Sequence, residues 1–182
     1  GANGSVFVLG TNSVGADQDF GVHRWMGNRW EPFSGGGVRI AVDPNGNPWV
    51  VNSRKEIHRW TGRDWQKLPG KANDVAIGAK GSVFVLGTNS VGADQDFGVH
   101  RWVGNRWEPF PGGGARIAVT PDGNPWVVNS RKEIHRWTGR GWQKLSGKAC
   151  AISIGANGEP FVLGTNTVGD YHDFGILRWT GS

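Results

Sequence analysis

Residues Gly4–Gly37 return as Gly81–Gly114, 77 positions later, with two differences in 34: Met26 becomes Val103 and Ser34 becomes Pro111. Asn47–Trp60 returns unchanged as Asn124–Trp137, and Phe161–Asn166 begins a third copy of the first segment. A chain built this way must fold as stacked copies of one unit. Each period divides again. Asn3-Gly4 and Asn45-Gly46 open similar segments, which Trp25 and Trp60 close. A long unit therefore alternates with a short one, and the seven extra residues of the long unit fall within Thr11–Gly21. The order is long, short, long, short, long, with units at about 1–37, 38–74, 75–114, 115–149 and 150–182 of a single domain.

No window carries an apolar stripe at helical period, and Gly or Pro interrupts every stretch. The first short unit instead offers four strand candidates, Val38–Val42, Pro48–Asn52, Glu56–Trp60 and Trp65–Leu68. Turn chemistry separates them: Asp43-Pro44-Asn45-Gly46, Ser53-Arg54-Lys55, Thr61-Gly62-Arg63-Asp64 and Pro69-Gly70-Lys71. Connections this short exclude a parallel sheet. Four antiparallel strands per unit is the pattern of a propeller blade. A lone blade leaves both faces wet, so large side chains must fill the space between blades. The 11 Trp residues are suited to this, and most recur at the end of the third strand or the start of the fourth. Burying one indole is worth about 5 kcal/mol before entropy costs.

The run Ile57-His58-Arg59-Trp60-Thr61-Gly62-Arg63-Asp64-Trp65, preceded by Asn45–Asn52, resembles the tectonin repeat, and the likeness recurs in every unit. The resemblance is to a β-propeller family of lectin-like proteins that includes the fish-egg lectins. It implies six blades and binding of lipopolysaccharide or of N-acetylated or O-methylated sugars. The first unit starts at its second strand and the fifth stops before its fourth, so the visible strands number 3, 4, 4, 4 and 3. We expect most of a six-bladed ring. A four-bladed ring with a loose hairpin, and an imperfectly closed five-bladed one, are the rival readings.

In a four-stranded meander, the second turn and the link to the next blade share one rim. The long-unit insertion therefore lies there, beside Ser34–Gly37. It brings Asp17, Asp19 and Phe20, then Asp94, Asp96 and Phe97, then Asp170, Asp173 and Phe174. A carboxylate beside an aromatic face suits a sugar, which offers hydroxyls on one side and C–H groups on the other. The plainer reading is that Asp caps a turn and Phe anchors the excursion. Arg54 and Arg131 share this rim and suit the phosphate or carboxylate of an anionic glycan. Four of the five His (His23, His58, His100 and His135) are one repeated position, which argues packing over metal ligation. Neither a metal nor a cofactor is expected.

Near-identical copies do not build the asymmetric constellation that catalysis needs. They do suit multivalency, which raises avidity by about 10² to 10⁴ when geometry permits. The expected function is multivalent binding of cell-surface glycans or lipopolysaccharide, without catalysis. The alternative is a scaffold propeller that binds protein partners or copies of itself. The net charge of +5 is spread through the repeats, so no nucleic-acid partner is expected. No apolar run is long enough for a membrane-spanning helix. A lectin acting on foreign surfaces would be secreted, and the lone Cys150 is compatible with either compartment.

Overall fold

The computed structural model describes residues 1–170 and 173–181. Eighteen strands form five antiparallel sheets, and no helix is found among the described residues. Blade one holds β1 (Phe7–Val14), β2 (Asp19–Trp25) and β3 (Trp30–Gly37). Blade two holds β4 (Arg39–Val42), β5 (Pro48–Val51), β6 (Glu56–Trp60) and β7 (Trp65–Lys71). Blade three holds β8 (Asp74–Ile77), β9 (Val83–Val91), β10 (Asp96–Val103) and β11 (Arg106–Gly114). Blade four holds β12 (Arg116–Val119), β13 (Pro125–Val128), β14 (Glu133–Trp137) and β15 (Trp142–Lys148). Blade five holds β16 (Ala151–Ile154), β17 (Pro160–Val168) and β18 (Asp173–Arg178).

The protein is thus an all-β propeller of five blades with three or four strands each. The described residues contain no sixth blade, and the first and last blades are not four-stranded. Among the described residues, blade one has no innermost strand and blade five no outer one. The innermost strands β4, β8, β12 and β16 pack side by side around a central channel of about 620 Å³. No helix of the described residues is long and apolar enough to cross a membrane.

The core lies between blades rather than within them, because a single sheet cannot cover its own faces. Each of the four blade–blade interfaces is a separate apolar cluster. Between blades three and four, Phe84, Leu86 and Val99 meet Ile117, Val119 and Val127. Phe33 is seated edge-on against Phe7 and Trp60, with centroids 5.3 and 5.0 Å away. Phe110 repeats this with Phe84 and Trp137, at 5.2 and 4.9 Å.

The tryptophans divide the work unevenly. Trp49 and Trp126 are buried. Those at the ends of the third and starts of the fourth strands pair across the hairpin, as Trp102 does with Trp107 at 4.7 Å. The fourth-strand member also reaches the preceding blade. Trp65 Nε1 donates to Ser34 O at 3.0 Å, Trp107 Nε1 to Pro69 O at 2.8 Å, and Trp142 Nε1 to Pro111 O at 2.8 Å. The indole lies over a glycine: a Cβ on Gly35 would stand 2.6 Å from Trp65 Nε1, and φ there is +89°. That accounts for the glycine at 35. Trp25 and Trp30 face no preceding blade and stay more than a third exposed, so burial of every indole between blades is not what the structure shows.

On blade five, the face turned away from blade four is uncovered among the described residues. Phe161, at the repeat position of Phe84, is 38% exposed where Phe84 is 1% exposed. Phe84→Ala should therefore cost about 3–5 kcal/mol and Phe161→Ala less than about 1 kcal/mol. Denaturant unfolding of both variants checks this; equal losses would mean that the last blade is covered.

Candidate functional site

The long-unit excursion is a hairpin extension, not a loose loop. After a shift of register beyond Leu9, Ser13 pairs with Phe20 and Val14 with Asp19. The turn Gly15–Gln18 closes it, with Gly15 and Gln18 in the left-handed region. The Val14 methyls lie against Gly21 and Gly36, where no side chain intervenes. Blade three repeats this arrangement, with Phe97 opposite Ser90.

Six of the eleven rim residues expected to bind a ligand are engaged within the protein: Asp17, Asp19, Arg54, Asp94, Asp96 and Arg131. Ser53 N donates to Asp19 Oδ1 at 2.7 Å, and Ser130 N to Asp96 Oδ1 at 2.7 Å. Arg54 pairs with Asp17, and Arg131 with Asp94, each at 2.5 Å. Each long hairpin thus clamps the second turn of the short blade that follows. The plainer reading fits these carboxylates: they fasten turns. Phe20 and Phe174 are 39% and 42% exposed, while Phe97 is half-buried and packs on the blade three–four cluster. Asp170 and Asp173 are exposed and make no ion pair among the described residues. Tyr171 and His172, between them, lie outside the described residues.

Other polar groups on this rim are also committed. Glu56 accepts from Lys67 Nζ and Asn52 Nδ2. The lysine contact, then the asparagine, hold its carboxyl down at about 2; Glu133 is held at about 2 by Lys144 and Asn129. His23 and His100 each place Nδ1 3.1 Å from a glycine carbonyl of their own strand. Among the described residues, no three His, Cys, Asp or Glu side chains converge as metal ligands would.

The opposite rim has open clefts between blades that the sequence reading passed over. One, of about 260 Å³ between blades one and two, is lined by Asn3, Phe7, Arg24, Asn45 and Trp60. Another, of about 570 Å³ between blades four and five, is lined by Asn124, Trp126, Arg136, Trp137 and Asn157. Both join aromatic rings to amides and a guanidinium, the mix that fits a small polar ligand. The sequence signal was there in the Asn-Gly turns, read only as punctuation. A third group, Arg39, Asp74 and Arg116 at the channel mouth, was also missed. Its signal is a charge at the head of three of the four short apolar strands, β4, β8 and β12.

If the hairpin carboxylates are clamps, Asp19→Ala and Asp96→Ala should each lower stability by about 1–2 kcal/mol. Asp173→Ala, with no blade to clamp, should stay within about 0.5 kcal/mol. Thermal or denaturant unfolding reads both, and a large loss from Asp173→Ala would contradict the assignment.

The fold has solved counterparts. One structure, described as YCF48 bound to D1 peptide, superposes with a TM-score of 0.53 at 14% identity. The match covers 86% of this chain and 60% of that one, so the chain spans only part of its length. A luciferin-regenerating enzyme superposes with a TM-score of 0.52 at 13% identity, covering 91% of this chain and 72% of the other. At such identities the likeness is one of fold alone. No curated protein matches the chain in sequence. The tectonin domain model matches twice, over residues 5–92 and 85–174. With the repeated blades and their tryptophan hairpins, that places the chain in the tectonin domain family.

Proposed function

We propose that this propeller is a multivalent, non-catalytic binder of cell-surface glycans or lipopolysaccharide, acting outside the cell. The observation that carries this reading is a pair of clefts between blades, in each of which a tryptophan, Trp60 or Trp137, stands beside asparagine amides and an arginine. A sugar presents C–H faces to the ring and hydroxyls to the amides. Single sites of this kind hold at about millimolar strength, near −4 kcal/mol, so several on one rigid body supply the affinity. The clamped hairpin rim supports binding less well, since its first two carboxylate sets are occupied. Its third set, Asp170 and Asp173, is the rim's open copy.

A glycan array separates these positions. Loss of signal in Asn3→Ala/Asn45→Ala/Asn157→Ala, with signal kept in Asp19→Ala/Asp96→Ala/Asp173→Ala, is the expected result. The reverse pattern would move the site to the hairpin rim. No glycan signal together with a stable protein complex would replace the lectin reading by a scaffold.

A second observation bears on how the ring closes. Blade five exposes Phe161, Leu163, Ile176 and Leu177, and blade one exposes Val6, Trp25 and Trp30. Their repeat counterparts are covered by short blades: Phe84 and Leu86 by blade four, Val83, Trp102 and Trp107 by blade two. Both faces therefore fit a sixth blade of the short type, which would close the ring. Intact mass of the native polypeptide tests this; a mass near 19.7 kDa would overturn it.

A further inference from the structure

The innermost strands of the two short blades begin with arginine, and that of the long blade between them with aspartate. Arg39, Asp74 and Arg116 thus stand together at the hairpin-side mouth of the channel. Both guanidiniums are anchored alike. Arg39 Nη1 donates to Val38 O at 2.7 Å, and Arg116 Nη1 to Ala115 O at 2.7 Å. This fixes one edge of each fork on the backbone, and both residues line the channel.

Asp74 does not use up this charge. Its Oδ1 accepts from Val75 N at 3.0 Å and its Oδ2 from Ile117 N at 3.2 Å, so the carboxylate mainly ties blade three to the inner edge of blade four. Arg39 Nε lies 3.8 Å from Oδ1, beyond hydrogen-bond reach, and is buried without a partner. The bond to Ala115 O is the one hydrogen bond of the Arg116 side chain among the described residues. On its far side Ala151 stands at the repeat position of Asp74, so blade five supplies no carboxylate. Two fixed cations therefore share one carboxylate where the inner ends of β4, β8 and β12 meet the channel.

We propose that the channel mouth between Arg39 and Arg116 is a binding site for a compact oxyanion: a sulfate, phosphate or carboxylate group. Planar, backbone-anchored guanidiniums match such groups in shape as well as charge. The site does not rest on glycan binding in the clefts.

Asp74 also makes the site sensitive to pH. Burial pushes its carboxyl up to about 6, against the opposing pull of Arg39. The strands packed against it, β4, β5, β9 and β12, carry no other charged groups than Arg39 and Arg116. Below about pH 6 the carboxylate takes up a proton, the local charge rises from +1 to +2, and an anion is held more tightly.

Calorimetric titration with sodium sulfate, whose charge does not change over this range, tests the site. Saturable binding is expected, tighter at pH 5 than at pH 7.5, and roughly tenfold weaker in Arg116→Met and in Arg39→Met. Asp74→Asn should bind sulfate tightly at both pH values. Arg63→Ala, an outer-turn arginine with its side chain 92% exposed, should bind as the parent does. Unfolding midpoints confirm that each variant is folded. Competition by galactose 6-sulfate would identify a charge carried on a sugar, and its failure would confine the site to free ions. No saturable binding, or equal weakening by Arg63→Ala, would overturn the proposal.

Discussion

The structure depends on one constraint: no blade can cover its own faces, so every blade is stabilised by its neighbours. Three interactions answer this at three radii. Near the axis Asp74 accepts the Ile117 amide of the next blade. In the middle, apolar clusters such as Phe84, Leu86 and Val99 against Ile117 and Val127 exclude water. At the outside, Trp65, Trp107 and Trp142 hydrogen-bond to carbonyls one blade back. The indole suits this place because it joins a large apolar body to a single donor.

That constraint also orders the functional surface. Residues facing across a blade boundary are drawn into holding the boundary, as the Asp19 and Asp96 carboxylates are. Among the described residues, polar groups stay uncommitted where a boundary gapes, at the clefts beside Trp60 and Trp137, and where the repeat is broken. Ala151 in place of aspartate is such a break. It leaves the guanidinium of Arg116 with one acidic neighbour instead of two.

Much of the fold was legible because the repeat supplied several readings of each element. The strands, their antiparallel order and the long-short alternation all followed from turn residues and the recurrence of Trp25, Trp60, Trp102 and Trp137. The partners were less legible. Asp19 meets a backbone amide 34 residues away, and nothing local to Asp19 shows that Ser53 will cover it. The seven-residue insertion carries no strand pattern of its own, yet Ser13 pairs with Phe20 and Val14 with Asp19 across it. The exposure of Trp30 depends on which blade precedes it, and a side chain's own sequence carries no such information.

The clamp between hairpin and turn has a consequence for how the chain reaches this state. Both hairpins carry the same residues, and so do both turns that receive them, so the first hairpin fits Ser130-Arg131 as well as Ser53-Arg54. Nothing in the chemistry tells adjacent from distant partners; only chain connectivity does, through the lower entropy of closing the shorter loop. In a dilute solution proximity selects the neighbour. In a crowded one, a hairpin from another molecule competes with the neighbour, and the repeats that build the ring can also link separate chains into exchanged assemblies.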